Sequence, residues 1–347
     1  MPANRMNHDE FFAKLAPLDG DQRGKVLWNL YWRGTAAMRE RVEGELDPPE
    51  REWRKKAAAE PPDPEQVLAE VSGFAELAES GAYIAGDRRV SRSERTKWRG
   101  TFRRLATEAQ SALHAADRGT AVRAMELMID LACHAQGCFR SEDPLEAARF
   151  VVSQAVSALW ETVLDAQGFA EFTARAVPQL VRWEREYGWS EGLGAGKVRE
   201  QERPLAEVLA PILETPDMWR GFADAYLAEL DRIAAAEAPP PGKKNRKIRR
   251  DWADSFLDRD YTKRRRTGNL ARWNSLLLEH LDTDRAQRLA GHTVFTGPEA
   301  DFLKAQAARL RGDLDEARTL IAECLKHLPG STEFAAFAEE VGAEVPD

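Results

Sequence analysis

Three cysteines in 347 residues are too few to staple a fold, and an odd number leaves one without a partner. A disulfide framework is therefore excluded, and a reducing compartment, the cytoplasm, is the expected location. Long apolar runs are also missing. No stretch approaches the roughly 20 residues that a membrane span needs, and MPANRMNHDEFFAKLAPLDG at the start has no apolar segment of signal-peptide length. Sustained apolar/polar alternation is absent, which argues against strands. Positive charge is not in excess: 50 basic against 58 acidic residues leave −8, too acidic for wholesale coating of nucleic acid. The six histidines are scattered, and His8, His280, His292 and His327 stand in no catalytic context.

Ala, Glu, Arg and Leu are abundant, and charged residues make up 31% of the chain. That mixture suits helices with solvated outer faces, so the expected fold is all-α, a helical bundle or α-solenoid of helical hairpins. The strongest single stretch runs from Asp143 to Gly168. Asp143 suits an N-cap, Pro144 the first helical position, Glu146 a capping box and Gly168 a C-terminal stop. Leu145, Phe150, Val152, Val156, Leu159, Trp160 and Val163 cover most of its circumference. Glu146, Arg149, Ser153, Ser157, Glu161 and Asp165 leave one narrow wet stripe. One long helix, buried inside a bundle, is predicted.

Proline clusters suggest the boundaries. Residues 1–45 read as a small N-terminal helical unit and 46–63 as a proline-flanked linker. Residues 64–238 read as a central helical bundle. After the prolines near 240, residues 243–347 read as a C-terminal helical array. Within the bundle, Ser91 with Glu94 forms a second capping box, and Thr215 followed by Pro216 opens another helix.

In PEADFLKAQAARLRGDLDEARTLIAECLKHLPGS (298–331), Gly312-Asp313-Leu314-Asp315-Glu316-Ala317 makes a turn and the start of a second helix. Ile321, small Cys324, Leu328 and Pro329 follow at fixed offsets, and Phe302, Ala305 and Ala308 face them from the first helix. The segment resembles a tetratricopeptide repeat. The first helix departs from that pattern in lacking tryptophan and tyrosine at the usual places. The resemblance covers about a tenth of the chain and implies a hairpin whose stacked array binds peptides or partner proteins on its concave face. A groove of that kind needs about three stacked units.

Several constellations invite a chemical reading. Gly192, Gly194, Gly196 and Lys197 superficially suggest a phosphate loop, but Val198 stands where Ser or Thr belongs and Glu191 where the first glycine belongs, so a connector is expected. Cys133, His134 and Cys138, with His114 nearby, lack zinc spacing and read as structural. Glu126, Asp130 and His134 share a helix face, which is ordinarily the solvated side. Trp28, Tyr31 and Trp32 share another and read as packing of the N-terminal unit.

Charge supplies the one anomaly. KKNRKIRRDWADSFLDRDYTKRRR (243–266) holds eleven basic residues against four acids. Lys243, Lys244, Arg246, Lys247, Arg249, Arg250, Lys263, Arg264, Arg265 and Arg266 are its candidate binding residues, for phosphates or an acidic partner. A thinner patch comprises Arg88, Arg89, Arg92, Arg95, Lys97, Arg99, Arg103 and Arg104. The bland alternative is pairing with the many acids of neighbouring helices. These readings lead to an expected non-catalytic cytoplasmic interaction or scaffold protein that uses helical-repeat grooves. It would take a protein or peptide partner, without cofactor, metal or membrane. The alternative is a nucleic-acid-associated accessory protein binding through 243–266. An enzyme with a site hidden in the bundle ranks third.

Overall fold

The computed structural model describes residues 13–14, 16–33, 61–84, 88–185, 188–189, 196–238 and 251–343, with the backbone alone for 30 and 251–259. The described residues are helical, joined by turns, and none forms a strand. None of their helices is long and apolar enough to cross a membrane. The chain divides into two compact units, Met1–Glu60 and Pro61–Asp347.

In the first unit, α1 (Gly20–Arg33) opens with reciprocal hydrogen bonds between Asp19 and Gln22. Trp28 stacks on Tyr31 and on Trp32, at 5.7 and 5.8 Å between ring centroids. The rings do not enter a core: Trp28 and Trp32 are 59% and 70% exposed.

The second unit begins with α2 (Pro64–Glu79), capped by Asp63, and α3 (Arg92–Ala112). Both halves of the Ser91–Glu94 capping box form, at 3.2 and 2.9 Å. Then come α4 (Arg118–Cys133), a single turn Ala135–Cys138, and the short α5 (Pro144–Ala148). α2, α3 and α4 pack against one another. Phe139 joins the layers by stacking on Trp98 at 4.2 Å.

The segment from Asp143 corrects the prediction of one continuous helix. α5 ends after five residues, because Arg149 turns left-handed at φ 56°. The break lets Phe150 swing edge-on against Phe102, 5.4 Å between centroids, and be buried there. The helix resumes as α6 (Val152–Trp183), whose first N–H groups are capped from afar. The Glu202 carboxylate accepts from Val152 at 2.7 Å and Ser153 at 2.9 Å. Gly168 does interrupt the helix, as expected. Its φ of 78° is one that a side chain would strain, but the chain then continues helically through Pro178 to Trp183. Val152, Val156, Leu159, Trp160 and Val163 are buried, so the interior placement holds. Ser153, assigned to the wet stripe, is buried too, and its hydroxyl accepts the Arg203 N–H.

α7 (Leu205–Leu209) and α8 (Pro216–Glu237, capped by Thr215) return along α6. α9 (Asp251–Leu278) places Leu270, Trp273 and Leu277 in the same core, where Trp273 meets Phe222 and Tyr226 edge-on. One apolar core thus runs from Val67 to Ala307. α10 (Thr283–Ala290) leads to the pair α11 (Pro298–Leu310) and α12 (Leu314–His327), closed by α13 (Thr332–Val341). Gly312, at φ 82°, makes the tight turn between α11 and α12. Phe302, Ala305 and Ala308 meet Ala317, Ile321 and Cys324 there, and Phe334 and Phe337 complete a second small core.

Candidate functional site

The polar row on α4 is structural. Gln179 links α6 to it, accepting from the Trp160 indole N–H at 2.8 Å and donating to Glu126 at 2.7 Å. Asp130 accepts from the Trp183 indole N–H at 2.7 Å and pairs with Arg182. His134 bonds the Asp130 carbonyl with a ring nitrogen and caps the end of α4. Burial raises the Glu126 carboxyl, opposed by Arg175. The row thus accepts from the buried Trp183 indole directly and, through Glu126, from the Gln179 amide that serves the Trp160 indole.

The cysteines are equally committed. Cys133 and Cys324 are pushed up to about 12 by burial, so both stay thiols. Among the described residues no group of three or more His, Cys, Asp or Glu is placed to hold a metal. Gly192 and Gly194 lie outside the described residues. The far end of that loop is pinned: the Glu146 carboxylate accepts N–H groups from Lys197 at 3.1 Å and Val198 at 2.8 Å.

Of the basic segment, Lys243, Lys244, Arg246, Lys247, Arg249 and Arg250 lie outside the described residues. Arg266 pairs with Glu237 at 2.5 Å, and Lys263 lies 3.9 Å from the same carboxylate and 3.5 Å from the Thr293 carbonyl oxygen. Arg264 and Arg265 are exposed. The thinner patch divides as well. Arg104 pairs with Glu70 and Glu108, and Arg103 donates to the carbonyls of Ala147 and Ala148. Arg92, Arg95 and Arg99 line a surface cleft that Arg140 joins from the turn before α5.

A cleft of about 710 Å³ opens where three regions meet. One wall is α9, with Gly268, Asn269, Ala271 and Arg272. The second is the end of α6 and the approach to α7, with Glu184, Arg185 and Pro204. The third is Glu299 at the start of α11 and the turn from α12 into α13, where Leu328, Pro329, Glu333 and Phe334 lie. Each wall is a helix end or a small-residue face, which is why a gap remains.

The charges there have distinct duties. Glu184, 2% exposed, accepts from the N–H groups of Arg185 and Ala206, both at 3.1 Å, and so caps the start of α7. Burial nevertheless outweighs these bonds and raises its carboxyl to about 7. Arg185 donates to the carbonyls of Arg182 and Glu184, and Arg272 pairs with Glu207. Glu299 and Glu333 form no ion pair with a described residue. Glu333 reaches solvent at the mouth but is ringed by protein. That partial burial raises its carboxyl, with Arg272 opposing from a distance. The charge left open in the cleft is therefore negative.

Sequence reasoning did not single out Glu184, Glu299, Glu333, Asn269 or Arg272. They come from helices far apart in the chain, and each alone looks like an ordinary surface position. No protein-family model matches the chain, and no curated protein or solved structure matches it either.

Proposed function

We propose that the protein is a non-catalytic interaction protein that captures an extended, basic segment of a partner protein in the cleft between α6, α9 and the α12–α13 turn. The observation carrying this reading is the charge balance of the cleft. Its two arginines are spent on Glu207 and on main-chain carbonyls, whereas Glu299 and Glu333 form no ion pair with a described residue. A lysine or arginine side chain entering beside them would gain charge-assisted hydrogen bonds. Leu328 and Pro329 would flank its aliphatic stem.

The chemistry within the bundle favours the same reading. The best-placed acids, Glu126, Asp130, Glu184 and Glu202, all serve as acceptors for buried indoles, amides or helix N–H groups. The α11–α12 hairpin, with small residues where its helices cross, supports the resemblance to a tetratricopeptide repeat. On this reading α9 and the end of α6 supply the facing wall that further repeats would otherwise provide.

Ten-residue fluorescent peptides of alanine and serine, carrying two lysines, two glutamates or neither, test the proposal by anisotropy. The lysine peptide is expected to bind at least tenfold more tightly than the others. Glu299→Gln with Glu333→Gln should remove that preference, and Asp315→Asn on the far exposed surface should not. Equal binding of all three peptides, or a preference that survives the double substitution, refutes the reading.

A further inference from the structure

The face of α3 that turns away from the core carries Arg92, Arg95, Arg99 and Arg103, then Thr107 and Gln110. Steps of three and four keep these residues in one stripe along the helix. Arg92, Arg95 and Arg99 line a cleft of about 450 Å³ closed by Arg140 and walled by Tyr83 and Trp98. One helical turn further on, Arg103, Thr107 and Gln110 line a second cleft of about 340 Å³. Its far side is Arg149, Lys197 and Val198. From Arg92 to Arg103 the axis advances about 16 Å at 1.5 Å per residue.

The charge in this double cleft is one-sided. Four cations line the first part and three the second, against a single carboxylate, Glu146. That carboxylate is already occupied by the N–H groups of Lys197 and Val198. Among the described residues, Arg92, Arg99, Arg140 and Arg149 have no ion pair. In a chain of net charge −8, unpaired cations along one line make a local positive field that draws anions. Two of the lining arginines are held in place. Arg99 lies over the Trp98 ring, 5.6 Å from its centroid, and Arg103 is fixed by two main-chain carbonyls. Arg149 sits at the rim because it adopts a left-handed backbone, the one non-glycine residue with positive φ among the described residues. Such strain costs about 1–3 kcal/mol and persists where the surroundings demand it.

We propose that this double cleft binds the phosphodiester backbone of a single-stranded nucleic acid. The length of the cation row requires several anionic groups in succession, which a single phosphate monoester does not offer. The concavity selects a flexible strand, because two clefts of about 450 and 340 Å³ can be followed by a single backbone that dips into each, whereas a stiff duplex is too wide to enter either. Tyr83 and Trp98 are buried as walls, so bases find no exposed ring to stack on. Binding is thus through the backbone, with little sequence preference.

The test uses the full chain and labelled twelve-nucleotide oligo(U), oligo(dT) and a duplex of equal length, followed by anisotropy. Both single strands should bind and the duplex should bind at least tenfold more weakly. Preference for one strand type identifies the sugar as a second determinant. With about five phosphate contacts, log K should fall against log salt with a slope near −3.5, about a hundredfold between 50 and 200 mM. Replacing Arg92, Arg99 and Arg140 together by Ala should weaken binding at least tenfold and reduce that slope by about 2. Arg220→Ala with Arg232→Ala, exposed arginines paired only within α8, serves as the control for general charge and should change neither. All the replaced side chains are exposed, and near-UV circular dichroism checks that the fold is retained. The proposal is overturned by absent binding, by a duplex that binds as well as the strands, or by a triple variant that binds normally. Displacement by micromolar uridine monophosphate would identify a monoester site instead. Tighter binding of a multiply phosphorylated serine peptide would identify a phosphoprotein site.

Discussion

Glu184 offers the sharpest test of how the large cleft is built. Its carboxylate sits 2% exposed at the start of α7, accepting two main-chain N–H groups at 3.1 Å. Those bonds and nearby Arg185 favour the charged form, whereas burial disfavours it. If burial wins, the carboxyl lies near 7 in the folded protein, above the ordinary glutamate value of 4.5. The folded state then binds more protons than the unfolded state between those two values, so stability falls as pH rises through that window. At 1.36 kcal/mol per tenfold change in proton affinity, the loss amounts to about 3 kcal/mol. It is absent at pH 4.5 and complete by about pH 8. Glu184→Gln keeps one acceptor oxygen and cannot charge. Subtracting its urea-unfolding free energy from that of the wild type at each pH cancels every other titrating group. The difference should move against the wild type by about 3 kcal/mol from pH 4.5 to 8. A flat difference, or one that favours the wild type as pH rises, would mean that the N–H groups of α7 dominate. The burial argument for this cleft would then fail.

Asp130→Ala should destabilise the second unit by about 1–3 kcal/mol in urea, because the fully buried Trp183 indole loses its acceptor, while Asp130→Asn should recover most of that. Ile321→Ala, at the centre of the α11–α12 pair, should cost about 2–5 kcal/mol by calorimetry or urea titration, and a cost below 1 would refute the packing. Cys133 and Cys324, both at about 12, should resist iodoacetamide at pH 8 in the native protein and react promptly in denaturant. Rapid native labelling of either would show that the thiol is not buried as described.

Much of the secondary structure could be read directly from local chemistry. Ser91 with Glu94, Thr215 with Pro216, and Gly312 mark helix ends whose hydrogen bonds lie within a few residues. The interior position of the Val152–Val163 stretch followed from its apolar circumference. The break at Arg149 was not legible, because its causes are remote. Phe150 turns aside to meet Phe102, and Glu202 supplies the cap that lets α6 restart. Likewise Glu126 and Asp130 read as a solvated row, since the Gln179 amide and the Trp183 indole that claim them lie about fifty residues away.

The chain by itself determined that it is helical, where most helices begin, and which faces are apolar, since each depends on neighbours within a turn or two. The clefts were decided by tertiary structure alone. Arg140 and Lys197 join the α3 stripe, and Glu333 comes to face Arg272, only because helix ends that cannot pack flush leave gaps between them. A gap belongs to several distant segments at once, so no single stretch of sequence carries its signature.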